Sequence, residues 1–118
     1  MGPWSLPSVS VQDASAQAED DALIVDVREP DEFAQVRVAG SVLLPLSEFV
    51  ARCNELPADR PLLMLCKSGA RSASATQYLL RQGYPRVANV TGGIVAWYQA
   101  GLPVTTTAPE AGEGEIPT

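Results

Sequence analysis

Between residues 8 and 103, short apolar runs alternate with stretches whose apolar positions recur at helical spacing. That alternation is the pattern of βαβ units, which build a largely parallel sheet. Val9-Ser-Val11 reads as a first short strand and the stretch around Asp13 to Glu19 as a small helix. Ala22-Leu-Ile-Val-Asp26 is a buried strand that ends in a charge. In Arg28-Glu-Pro-Asp-Glu-Phe33, Pro30 suits the first turn of a helix and the acids favour its N-terminal end. Ser41-Val-Leu-Leu44 is another strand, closed by Pro45, and Ser47 is placed to cap a helix from about Glu48 to Leu56 that carries Cys53. Pro61-Leu-Leu-Met-Leu-Cys66 is apolar at every position from 62 to 65, as a strand covered on both faces requires, and it delivers Cys66 to its carboxyl end. Lys67-Ser-Gly-Ala-Arg71 is then a loop with one glycine, and Ser72 to Gln82 a helix rich in small residues, stopped by Gly83 and Pro85. Arg86 to Val90 is a last strand, Thr91-Gly-Gly93 a turn, and Ile94 to Ala100 a helix carrying Trp97, closed by Gly101 and Pro103. The predicted class is α/β, with a largely parallel five-stranded central sheet and helices on both faces.

Composition narrows the picture. A chain of 118 residues supports one core, which we place at residues 8–103, with an N-terminal lead at 1–7. Residues 104–118 have no aromatics and three glutamates, too little apolar surface to offset ordering entropy, and are expected to form a disordered acidic tail. No apolar run is long enough to span a bilayer, and Met1-Gly-Pro-Trp-Ser-Leu-Pro7 lacks the charged start and apolar stretch of a secretory signal. A cytoplasmic protein with no membrane role is therefore expected. Cys53 and Cys66 lie 13 positions apart, with no Cys-x-x-Cys pair and no histidine anywhere. This argues against a zinc site and a disulfide-stapled scaffold, so both thiols are expected reduced. Nothing in the pattern separates a monomer from a weak dimer.

The net charge of −6 is unevenly spread. Residues 1–59 hold eleven acids against Arg28, Arg37 and Arg52, a net of −8, whereas residues 60–103 hold five cations and no acid, a net of +5. A cationic segment around Cys66 would favour a small anion near that thiol; the alternative is a split that folding interleaves. Nucleic acid is not an expected partner, because phosphate-backbone binding needs a basic stripe that five scattered charges do not supply.

Cys66 is the candidate for chemistry. In open α/β sheets, ligands sit outside the carboxyl ends of strands, where loops enter helix N-termini. The six residues from Cys66 to Arg71 can curl so that successive backbone N–H groups point inward, a nest reinforced by the following helix dipole. A thiolate there has a depressed pKa and is the nucleophilic form. Gly69 lets the backbone approach the sulfur, and Lys67 and Arg71 add cations for an anionic donor. The other reading of a free thiol at the end of an apolar strand is an inert core residue, and for Cys53 that is the reading adopted.

Three segments together carry a resemblance: Leu23-Ile-Val-Asp-Val-Arg-Glu-Pro-Asp-Glu-Phe33, Leu65-Cys-Lys-Ser-Gly-Ala-Arg-Ser72 and Asn89-Val-Thr-Gly-Gly-Ile-Val-Ala-Trp97. In their order and spacing they resemble the single-domain rhodanese-like sulfurtransferases, over about residues 8 to 103. The resemblance implies that Cys66 carries a persulfide, that Cys66 to Arg71 form the active-site loop, with Cys66 and Arg71 catalytic, and that Lys67, Ser68, Gly69, Ala70 and Ser72 contact substrate. Asp26 and Arg28 resemble the family's charge pair beside the pocket; a structural ion pair is the alternative. Gly92, Gly93 and Trp97 resemble its packing signature. The implied partners are a small anionic sulfur donor such as thiosulfate and a thiol acceptor, with no metal or organic cofactor. One departure stands out: where the family commonly has Gly-His-Ile-Pro-Gly-Ala, this chain has Val36-Arg-Val-Ala-Gly-Ser41, with Arg37 at the histidine position. A cysteine phosphatase or arsenate reductase is disfavoured, because such loops place arginine six positions after cysteine, where this chain has Ser72. A non-catalytic interaction module remains the alternative function.

Overall fold

The apolar runs assemble into a single parallel sheet. In the computed structural model, which describes residues 6–117, the strands are β1 (Ser8–Val9), β2 (Leu23–Asp26), β3 (Val42–Leu43), β4 (Leu62–Leu65) and β5 (Val87–Val90). They lie in the order β1-β5-β4-β2-β3, every pairing parallel. Most of the expected N-terminal lead, and the last residue of the expected tail, lie outside the described residues. The helices are α1 (Val11–Asp20), α2 (Pro30–Gln35), α3 (Leu46–Arg52), α4 (Ala70–Arg81) and α5 (Gly93–Gln99).

Because strand side chains alternate between faces, β4 feeds two cores at once. Leu62, Met64 and Cys66 join Val25 of β2, Phe49 of α3 and Leu79 of α4 on one face. Leu63 and Leu65 join Ile24, Ala14 of α1, and Ile94 and Trp97 of α5 on the other. All four residues of β4 are buried, and burying each such side chain contributes about 1.5–3 kcal/mol. The same alternation puts the side chain of Cys66 on the face covered by α3 and α4. β2 and β4 are neighbours, with Asp26 beside Leu65, yet the chain leaves β2 toward β3 and leaves β4 toward β5 on the opposite side. Their carboxyl ends therefore flank the crevice where connections diverge, the place at which such sheets take ligands.

Several helix boundaries differ from the sequence expectation, and Val11, read as the end of the first strand, opens α1 instead. Ser47 does not cap α3: Pro45 holds the cap position, the helix starts at Leu46, and the Ser47 hydroxyl donates to Glu29 Oε1 at 2.9 Å. Beyond Arg52 the chain tightens into a 3-10 turn, Cys53–Glu55, with Cys53 buried. α4 starts at Ala70 rather than Ser72, because Gly69 takes φ 108° and turns the chain into the helix early.

The segment expected as a disordered tail lies instead across the domain. Arg37 and Thr105 exchange backbone hydrogen bonds of 3.0 and 2.7 Å, and Gly114 O accepts from Leu43 N at 2.7 Å. Arg37 is 1 % exposed. Its guanidinium is paired with the Glu113 carboxylate, donates to Thr107 O at 2.7 Å and stands 5.7 Å from the Phe33 ring centroid. Composition underestimated this segment because it counts what a tail buries of itself. A buried guanidinium elsewhere supplies the missing term, since it needs a carboxylate and carbonyls around it.

α5 abuts the end of β4 so closely that a Cβ on Gly93, which has φ 60°, would fall on the backbone carbonyls of Cys66 and Lys67. Positive φ alone costs a non-glycine residue about 1 kcal/mol, and here the neighbour is backbone that cannot swing aside. Gly93→Ala is expected to lower stability by more than about 2 kcal/mol in urea unfolding. Gly83→Ala, where nothing lies within 4 Å of the added carbon, is expected to show only the φ penalty.

Candidate active site

At the end of β4 the backbone of Cys66 and Lys67 is fixed from one side. The N–H groups of Ile94 and Val95, in the first turn of α5, donate to Cys66 O at 2.9 Å and Lys67 O at 3.1 Å. Helix N-termini leave such donors without intrahelical partners, so this contact caps α5 while turning both carbonyls away from the Cys66 side chain. Gly69 O accepts from Ala73 N at 3.1 Å and from Asn89 Nδ2 at 3.2 Å. With its carbonyls committed outward, the loop points amides inward: Gly69 N donates to Cys66 Sγ at 3.1 Å.

Ser72, fully buried on α4, adds a side-chain donor. Its hydroxyl lies 3.2 Å from Cys66 Sγ and 2.6 Å from Asn89 Oδ1. One hydroxyl proton thus has two acceptors in reach. Cys66 is only 1 % exposed, so the loop frames any approach to the sulfur. Burial pushes the thiol up. The Ser72 hydroxyl and the backbone N–H groups of Ser72, Gly69 and Ser68 pull it down and outweigh the burial, leaving its pKa below that of an ordinary thiol.

The cations around the loop are mostly committed. Arg71, in the first turn of α4, holds Glu32 of α2 in a two-pronged pair of 2.7 and 2.9 Å. Glu32 also accepts from Glu29 N at 3.0 Å. Hydrogen bonds from Arg71 outweigh desolvation and bring the Glu32 carboxyl down to about 2. Asp26 and Arg28 form a buried ion pair at 2.8 Å, and the same guanidinium donates to Val36 O at 2.6 Å, bracing the end of α2. Lys67 is exposed and has no carboxylate partner among the described residues. It lines a cleft of about 660 Å³ together with Glu32, Arg28, Val95 and Tyr98. The acidic and basic halves of the sequence thus meet here, and folding interleaves part of the charge split.

Of the residues picked from sequence, Cys66, Gly69 and Ser72 converge on the sulfur, with the Ser68 amide. Ala70 lies exposed in the first turn of α4 and makes no side-chain hydrogen bond. Asn89 and Glu32 were not among those picks. For Asn89 the signal was present, since a polar residue inside a buried strand must find partners. Glu32 looked like one more acid at a helix start.

The fold and geometry have counterparts. A family model described as "Rhodanese-like domain" matches residues 10–100. A protein named "Sulfurtransferase" from Allochromatium vinosum is 44 % identical over 105 residues, covering 89 % of this chain and 95 % of its own length. "Thiosulfate sulfurtransferase GlpE" from Vibrio cholerae is 34 % identical over 97 residues, covering 81 % of this chain and 92 % of its own. The crystal structure of a rhodanese-related protein from Thermoplasma volcanium superposes with a TM-score of 0.80 at 31 % identity, covering 85 % of this chain and 98 % of the other.

Two outcomes are expected. The rate of Cys66 alkylation by iodoacetamide against pH, followed by peptide mapping, will inflect below the range of an ordinary thiol, and Ser72→Ala will move that inflection upward. Glu32 has its folded pKa depressed from 4.5 to about 2, so its stabilising contribution is present above 4.5 and fades as pH falls toward 2. At 28 % exposure solvent screening reduces that contribution to about 1 kcal/mol. Urea unfolding of wild type and Glu32→Gln will differ by about that amount at pH 7, and the gap will close between pH 4.5 and 2.

Proposed function

Because the chain belongs to the rhodanese-like domain family, we propose that it is a sulfurtransferase in which Cys66 carries a sulfane sulfur between a donor and a thiol acceptor. The observation that supports this most directly is the set of donors on one sulfur: the Gly69 amide at 3.1 Å and the Ser72 hydroxyl at 3.2 Å. A residue that only packs needs no such donors, whereas a nucleophile does.

The reaction has two half-steps. The Cys66 thiolate attacks the outer sulfur of a donor such as thiosulfate; an S–S bond forms at Cys66, the donor's S–S bond breaks, and sulfite leaves with the bonding pair. Cys66 is left as a persulfide anion whose terminal sulfur takes the negative charge. In the second half-step an acceptor thiolate attacks that terminal sulfur, becomes a persulfide itself and returns Cys66 to thiolate; cyanide serves as acceptor in an assay. Charge balances in each step, so neither a metal nor an organic cofactor is called for. The loop amides stabilise negative sulfur in the resting enzyme and through both transfers. Arg71 and Lys67 supply the cations of the loop, and Asp26 with Arg28 braces the end of α2. The small acidic protein is placed in the cytoplasm, where acceptor thiols are reduced.

The competing phosphatase reading loses ground on Arg71. A tetrahedral oxyanion needs that guanidinium turned over the loop, and here Glu32 holds it at 2.7 and 2.9 Å. The purified protein, exposed to thiosulfate and analysed by intact-mass spectrometry, is expected to gain one sulfur atom, and Cys66→Ala none. No gain on either protein would leave a non-catalytic binding domain as the better description.

A further inference from the structure

Three cations belong to the Cys66 loop and its surroundings, Arg28, Lys67 and Arg71, and two of them are paired with carboxylates. Arg28 is spent on Asp26 at 2.8 Å within the interior. Arg71 is spent on Glu32, whose two oxygens each take one guanidinium nitrogen. Lys67 remains. Counting Asp26 and Glu32 against Arg28, Lys67 and Arg71 leaves one net positive charge, which the Cys66 thiolate offsets once it forms. The amide cradle suits one negative sulfur, but a dianion brings two charges to a site where, among the described residues, Lys67 is the cation without a carboxylate partner, beside a carboxylate that stays ionised far below neutral pH.

We propose that Glu32 is a specificity-determining residue: by occupying Arg71 it disfavours small dianionic sulfur donors and tilts the site toward sulfane donors of lower charge, such as thiol persulfides. This deepens the sulfurtransferase reading and rests on it. Glu32 acts through Arg71, so it is a positioning residue rather than a catalytic one. The pair is near enough to the sulfur for the charges of Arg71 and Cys66 to act on each other. Glu32 and Arg71 are 28 % and 35 % exposed, and Glu32 lines the cleft beside Lys67. The carboxylate is also anchored on its own side by Glu29 N at 3.0 Å, so it does not drift off when Arg71 moves. A simple brace between α2 and α4 would make the same contacts, but it would not discriminate donors by charge.

Glu32→Gln tests this, because the amide oxygen still accepts from Glu29 N and Arg71 while the charge is lost. An exposed pair of this kind contributes little to folding. Loading of Cys66 would be followed by peptide mass for wild type, Glu32→Gln and the charge-retaining Glu32→Asp, with two probes. Thiosulfate is the dianion. Uncharged methyl methanethiosulfonate caps the thiolate as a methyl disulfide and releases methanesulfinate. Glu32→Gln is expected to raise the second-order rate with thiosulfate about tenfold, mainly through KM, with the neutral reagent within about twofold; Glu32→Asp should stay near wild type with both. An unchanged or slower thiosulfate rate in Glu32→Gln, or an equal change with both reagents, overturns the donor preference while leaving the sulfurtransferase reading intact. If none of the three proteins gains sulfur from thiosulfate or from a small thiol persulfide, although the neutral reagent still caps Cys66, the sulfurtransferase reading fails and this one with it.

Discussion

The amides of Ile94 and Val95 close on the carbonyls of Cys66 and Lys67, and the geometry of the whole site follows from that contact. A peptide unit is rigid, so fixing where a carbonyl points also fixes where the next N–H points. Once α5 has taken the Lys67 carbonyl, the Ser68 amide of the same peptide unit faces the sulfur. The contact is intimate because Gly93 has no side chain to hold it off. It also serves α5, whose first-turn donors would otherwise lack partners. One backbone seam therefore caps a helix and shapes an anion cradle.

Within the cradle, two large effects oppose each other at Cys66. Removing a thiolate from water is expensive, and with Cys66 1 % exposed burial alone would keep it protonated. Each hydrogen bond to a charged group contributes about 1.5–3 kcal/mol, and several converge, so together they outweigh burial and lower the pKa of the thiol. The margin depends on Ser72, and Ser72 depends on Asn89, which lies 2.6 Å from the same hydroxyl and also ties down Gly69 O. A strand residue with no contact to the sulfur thus shares in setting its charge.

What the sequence made legible was what local pattern controls. The all-apolar stretch Leu62 to Leu65 identified a strand buried on both faces, and its end located Cys66. The glycine three residues on marked a tight loop, although the helix expected from Ser72 begins already at Ala70. What stayed hidden was long-range pairing of charges. Glu32 and Arg71 are 39 positions apart, and nothing in either neighbourhood specifies the other. Read locally, the Cys66 segment looked strongly cationic; in the folded chain much of that charge is answered. The helix around Glu48 was misread at its start because Ser47 has a good capping side chain, and the sequence does not show that Glu29 claims it first.

The strap between Arg37 and Glu113 bears on where this protein ends for practical purposes. The family match stops at residue 100, while every group that satisfies the Arg37 guanidinium, Thr107 O and the Glu113 carboxylate, comes later. A fragment trimmed to the family border would expose Phe33 and Leu43 where Gly114 now rests and would leave a cation in the interior without its counterion. Family borders describe what relatives share. Here Arg37 draws its counterion and a carbonyl from the C-terminal segment, which thereby becomes a structural part of the domain.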